Sequence, residues 1–198
     1  MISDPNEDKM KQKTTPGLFV LLSMLVVFGF TNRTSTSTSI KKGISRPEKV
    51  EQYIKKYRYL SVELNEMTGI PTAIIIAVAG LESDWGKSDL ALKANNHFGI
   101  KANDDWQGPM YCKPSTEYLD GFPVQSWECF RKYPLIRKSY EDFGQFLLTR
   151  PNYQNLNYYP NWDIRAWATG LQAGGYATDP GYAQKLIGAI EEYNLYEP

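Results

Sequence analysis

Apolar residues recur at helical spacing from the middle of the first hundred positions onward. Val50, Tyr53, Ile54, Tyr57, Leu60, Val62 and Leu64 predict a helix that runs to about Met67. Ser45-Arg46-Pro47-Glu48 fits a capping box with proline in the first turn. Gly69 and Pro71 then end one helix and open the next. The second is a nearly unbroken apolar run, Ala73 to Leu81, with no polar face, so the rest of the domain must enclose it. It ends in one acid, Glu82, followed at once by Ser83, Asp84, Trp85 and Gly86. A shorter helix is expected from Ser88 to Ala94.

The pattern changes over residues 109–133. Asp120-Gly121 is a strong two-residue hairpin signal, and it sets Leu119 opposite Phe122. Counted outward, Cys112 falls opposite Cys129 in a non-hydrogen-bonded pair, where Cα atoms lie about 4.5 Å apart. That separation suits a disulfide; two free thiols are the other reading. Pro114 and Pro123 also fall on positions that need not donate across the pair. Helices then return. Ser139 can cap one whose first turn carries Glu141 and Asp142, with Phe143, Phe146 and Leu147 facing inward. Residues 161–174 read as another, and Asp179-Pro180 opens a last one to about Tyr193. The fold class expected is α+β, mostly helical, with one small β-hairpin lobe.

The beginning of the chain reads differently. Leu18 to Phe30 is overwhelmingly apolar but short of the ~20 residues that span a bilayer, and Lys9, Lys11 and Lys13 precede it. A Ser/Thr-rich linker, Thr31 to Ser39, follows. Residues 1–44 are therefore expected to be a signal peptide or a short membrane anchor plus linker. Residues 45–198 are expected to form the working domain, exported to the cell envelope.

Charge narrows the partners. Lys plus Arg and Asp plus Glu number 22 each, so no basic stripe argues for nucleic acid. Only one histidine, His97, is present, and no cluster has metal-ligand spacing, so neither metal nor cofactor is expected. His97 is read as making a local structural hydrogen bond. The 14 Tyr and 5 Trp suit sugar faces and suit a core equally well; Trp85, Trp106 and Trp127 are the candidate platforms. The chain is expected to act as a monomer.

The chemistry centres on Glu82. An apolar helix ending in a carboxylate beside an indole disfavours the charged form, by burial and by the negative end of the helix dipole. A carboxyl so tuned is the usual proton donor for breaking a glycosidic bond. An ordinary solvated helix-end glutamate has the same local pattern.

Three motifs in order carry a resemblance. Leu81 to Lys101 (LESDWGKSDLALKANNHFGIK) is similar to the signature of the glucosaminidase domains of glycoside hydrolase family 73, which include flagellar peptidoglycan hydrolases and bacterial autolysins. Thr116-Glu117-Tyr118-Leu119-Asp120-Gly121 with Phe130-Arg131-Lys132-Tyr133 resembles the family's hairpin, and Tyr176 to Tyr182 resembles its Y-A-T-D-P run. The resemblance implies a lysozyme-like fold with a groove between helical body and β-lobe. It implies hydrolysis of the β-1,4 bond between N-acetylglucosamine and N-acetylmuramic acid in peptidoglycan glycan strands. It makes Glu82 the general acid, Glu117 the second carboxylate and Tyr176 an aromatic near the reaction centre, with Trp85, Asn96, Phe98, Tyr118 and Tyr182 at the substrate. Retention, inversion and assistance by the substrate's acetamide all stay open. The alternatives are a lytic transglycosylase or muramidase cutting the other glycan bond, and a catalytically silent wall-binding module.

Overall fold

The computed structural model describes residues 46–196 apart from 120 and 121, and the backbone alone for 117–119 and 123. The expected leader, anchor and linker over 1–44 lie outside the described residues. Among the described residues no helix is long and apolar enough to cross a membrane.

Helix α1 (Glu48–Thr68) buries Val50, Tyr53, Leu60 and Leu64 along one stripe. It stops where Gly69 turns left-handed (φ 74°) and its N–H reaches Asn65 O at 2.7 Å. The helix opens at Glu48 behind Pro47, without a side-chain cap, rather than at a capping box from Ser45. A start at Ser45 would put Arg46, the residue before a proline, into helical backbone, which Pro47 disfavours. Arg46 instead reaches across the domain, donating from Nε to Tyr193 O at 2.6 Å and from Nη2 to Asn194 O at 3.1 Å.

Helix α2 (Thr72–Glu82) is the axis of the domain. Every residue from Ala73 to Gly80 is buried, as the missing polar face requires. A tight turn ends it: Asp84, Trp85 and Gly86 take φ of 48°, 53° and 77° in succession. Trp85 N bonds back to Gly80 O at 2.7 Å, and its indole folds under the helix end. Gly80 permits this, because a Cβ there would stand 2.6 Å from the indole. Helix α3 (Asp89–Ala94) follows, capped by Ser88, whose Oγ accepts from Ala91 N at 3.2 Å.

Strands β1 (Met110–Leu119) and β2 (Phe122–Arg131) form an antiparallel hairpin in the register the turn signal predicts. Leu119 faces Phe122, Pro114 faces Trp127, and Cys112 faces Cys129 in a disulfide with Cα atoms 4.0 Å apart. The hairpin root is clamped to the body through Arg131. Its guanidinium donates to both Asp142 oxygens at 3.0 and 3.1 Å and lies over the Trp106 ring at 4.8 Å. Tyr133 donates to the same Asp142 at 2.5 Å.

The later helices begin elsewhere than their capping-type residues suggest. Helix α4 (Ile136–Thr149) starts behind Leu135, and Ser139 lies inside it, its hydroxyl bonded to Ile136 O at 2.8 Å. The earlier start lets Tyr140 be buried with Phe143 and Leu147. A 3-10 helix (Pro151–Tyr158), absent from the periodicity, packs against α4 and against α5 (Ile164–Ala173). Helix α5 is capped by Asp163 and begins at Ile164 rather than at 161. Helix α6 (Tyr182–Glu192) opens behind Gly181; Asp179 instead closes a local turn, accepting from Gly181 N at 2.8 Å. Helices α1, α5 and α6 surround α2.

Candidate active site

A cleft of about 620 Å³ opens at the C-terminal end of α2. Glu82, Phe98 and Gly99 border it on the helical body, and Lys113, Ser115 and Thr116 of β1 line its other wall. Glu82 is half-buried there. Its position follows from the sequence: α2 must be buried to its last turn, so the first polar residue after the apolar run emerges where the core meets the cleft.

Two contacts fix the carboxyl. Tyr182, at the first turn of α6, donates its hydroxyl to Glu82 Oε1 at 2.9 Å. Gly99 passes so close to Oε2 that a Cβ on it would stand 3.0 Å away. The glycine holds φ at +64°, in the left-handed region. Tyr182 is itself buried and held by a neighbour: Tyr176 stacks on it with ring centroids 5.7 Å apart. Tyr176 in turn donates to Phe98 O at 2.7 Å, and Phe98 stacks on Phe143 at 4.2 Å. Burial first, and the nearby Glu82 charge second, push both tyrosine hydroxyls far above their ordinary range. They stay protonated, so Tyr182 remains a donor to Glu82 at any working pH.

Charged side chains along the cleft are largely paired. Lys101 bridges to Glu128 at 3.2 Å, Arg150 to Asp105 at 3.3 Å, and Lys185 to Asp179.

A half-buried carboxyl at the end of the central helix, gripped by a buried tyrosine, thus borders a long cleft. The family model described as mannosyl-glycoprotein endo-beta-N-acetylglucosaminidase matches residues 59–195. The chain belongs to the glucosaminidase family. It is similar to the exo-glucosaminidase LytG of Bacillus subtilis, 34% identical over 94% of this chain and 67% of that protein. It is 32% identical to the peptidoglycan hydrolase FlgJ of Vibrio cholerae, over 73% of this chain and 45% of that one. This chain thus spans less than half of that FlgJ. Among solved structures, a peptidoglycan hydrolase mutant from Sphingomonas sp. A1 superposes with a TM-score of 0.67 at 31% identity, covering 73% of this chain and 95% of that one. The fold is that of the lysozyme-like glucosaminidases, and the enzyme is a peptidoglycan glycosidase.

Within this glucosaminidase the residues named from sequence take unequal places. Glu82 and Tyr182 meet, and Tyr176 lines the cleft beside Tyr182 with its hydroxyl donating to a backbone carbonyl. Trp85 and Asn96 do not line the cleft, which corrects their expected role at the substrate. Trp85 is 5% exposed, wedged edge-on between Tyr53 and Tyr193. Asn96 is fully buried; its amide donates to Ile100 O and Arg131 O and accepts from the N–H groups of Phe98 and Ile100. Asn96 therefore staples the loop that carries Gly99 to the hairpin root. Phe98 borders the cleft, as expected of a residue at the substrate, and its ring is buried in the core. Glu117 and Tyr118 pair in register with Val124 and Pro123. Trp106 is engaged at the hairpin root, donating to Pro109 O at 2.9 Å, and Trp127 is exposed away from the cleft lining. His97 bonds through Nδ1 to the Tyr53 hydroxyl at 2.7 Å, a structural contact as expected.

Sequence reasoning missed Gly99, Arg150 and the Asp179–Lys185 pair. The signal for Gly99 was present, since a glycine inside the motif Asn96 to Lys101 marks a close approach of backbone to something else.

Proposed function

We propose that residues 45–198 form an exported catalytic domain that hydrolyses the β-1,4 bond between N-acetylglucosamine and N-acetylmuramic acid, with Glu82 as proton donor. One observation carries the reading: the Glu82 carboxyl faces the cleft with Oε1 held by Tyr182 at 2.9 Å. Fixing one oxygen fixes the plane of the carboxyl, so its proton is delivered along one direction to the departing glycosidic oxygen. As that bond breaks, the sugar gains oxocarbenium character and needs a second group. We give this role to Glu117. Position 117 follows Ser115 and Thr116 of β1, which line the cleft wall, and this nearness supports the reading. Tyr176 acts as a positioning residue for Tyr182. Residues 1–44 carry the domain across the inner membrane, and the apolar stretch 18–30 is either removed or kept as an anchor.

The test is product analysis on purified peptidoglycan with the wild type beside Glu82→Gln. Reducing-end N-acetylglucosamine from the wild type and none from the variant is the expected result. Anhydro-muramyl or reducing N-acetylmuramic ends would overturn the assigned bond. Full activity in a folded Glu82→Gln protein would overturn the assigned donor.

A further inference from the structure

A second concavity, of about 390 Å³, opens at the other end of α2, near Thr72. Ten helical steps separate Thr72 from Glu82, about 15 Å along the axis, so the two sites do not merge. Its floor is apolar and buried: Pro71, Ala73 and Ile164. Its rim carries Asn65, Asn161, Trp162 and Tyr196. Trp162 is 79% exposed and Tyr196 51% exposed, so both leave large aromatic faces in water. The size falls within the ~300–1,000 Å³ of small-ligand sites.

Charge decides the class of ligand. Among the described residues no charged side chain lines this concavity, whereas Lys101, Lys113, Arg150, Lys185, Glu82 and Asp179 line the main cleft. A neutral wall of aromatic faces and carboxamides matches an uncharged ligand with apolar C–H faces and amide groups. An acetamido sugar has both: a ring face to stack on indole, and an N–H and carbonyl for asparagine. The Asn65 amide is already oriented, donating to Ile70 O at 2.7 Å, which leaves its Oδ1 to accept. The backbone around Trp162 is set as well. Asp163 N bonds to Pro160 O at 3.0 Å, Ile164 N to Trp162 O at 3.1 Å, and Trp167 Nε1 to Pro160 O at 3.2 Å. Backbone held this way adds little ordering cost on binding.

We propose that this concavity binds uncharged N-acetylated sugar residues of a glycan strand, outside the cleft where the strand is cut. The proposal rests on the glucosaminidase reading above, since the substrate of that reaction is a polymer long enough to touch both places. A second hold on the same insoluble polymer raises the time the enzyme stays near its bonds without adding to the chemical step.

The experiment uses the full chain carrying Glu82→Gln, with and without Trp162→Ala, and with Tyr196→Ser as an independent second lesion. Tri-N-acetylchitotriose is titrated while tryptophan fluorescence is read, and binding to purified sacculi is measured by pelleting at low and high NaCl. The expected result is a saturable fluorescence change that Trp162→Ala removes. Sacculus affinity should fall about fivefold to tenfold in either rim variant, the size of one stacked aromatic, with no salt dependence in the part that is lost. In the wild-type background Trp162→Ala should raise KM on sacculi and leave kcat on a short soluble fragment unchanged. Unchanged sacculus affinity, an equal loss on short fragments, or Trp162-dependent binding to phosphatidylglycerol vesicles in place of sugar would each overturn the site. Because the sacculus comparison reads binding alone, it stands apart from the fate of the Glu82 assignment, which the activity of Glu82→Gln decides.

Discussion

Tyr182 donates its hydroxyl to Glu82 across 100 residues of sequence, at 2.9 Å. The acid comes from the end of the central helix α2, and its donor comes from the first turn of the last helix, α6. Replacing Tyr182 with Phe keeps the ring stacked on Tyr176 and removes one hydrogen bond to a carboxyl. Such a bond is worth about 1.5–3 kcal/mol, so kcat on sacculi should fall roughly tenfold to a hundredfold, and the melting temperature should fall by several degrees. Wild-type turnover by the variant would show that the bond does not position the acid.

Gly99→Ala should harm the site from the other side. The new methyl would enter a left-handed backbone position (φ +64°) and stand 3.0 Å from Glu82 Oε2. The backbone strain is about 1–2 kcal/mol, enough to lower the melting temperature by about 3–6 °C. Activity should fall more than stability does, because the carboxyl itself must move. Thermal melts and single-turnover rates on one preparation separate the two effects.

His97 makes the fold acid-sensitive. Its pKa is lowered from 6.5 to about 4, chiefly by burial and then by the Lys56 charge. The unfolded chain takes up the proton first as pH falls. The stability contributed by the neutral ring is therefore complete above pH 6.5 and is lost progressively toward pH 4, by about 3 kcal/mol in all. Urea midpoints from pH 7.5 to pH 4 should show this slope in the wild type and a flatter one in His97→Gln.

The disulfide should matter to the lobe and little to the body. Cys112 and Cys129 close a short loop within the hairpin, and the main buried core lies elsewhere, with only a small cluster of Leu90, Ala94 and Phe130 at the hairpin. Reduction, or Cys112→Ser with Cys129→Ser, should slow sacculus clearing several-fold and leave the helical circular dichroism and its melting nearly unchanged. A coincident loss of helical signal would show that the hairpin and the helices unfold as one unit.

Local features of the fold were legible in the chain, and long-range ones were not. The apolar run from Ala73 to Leu81 could only be a buried helix, so Glu82 had to surface at its end. The hairpin register followed from its turn residues, and with it the Cys112–Cys129 pairing. The starts of α4 and α6 were misplaced because Ser and Asp close turns and sit inside helices as readily as they cap them. Ser139 and Asp179 do those two things here. Trp85 looked like a sugar platform because sequence does not say which side of a turn an indole takes. Three successive left-handed residues, 84–86, send it into the core. The Tyr182–Glu82 contact had no local signal at all, since only the packing of α6 on α2 brings the two together.

The latch of Arg46 onto the carbonyls of Tyr193 and Asn194 brings the first and last described turns of the enzyme side by side. A folded unit whose first and last described turns already touch can be re-threaded: a short bridge from Tyr196 to Arg46 would let that unit be opened at another surface loop while every helix kept its neighbours.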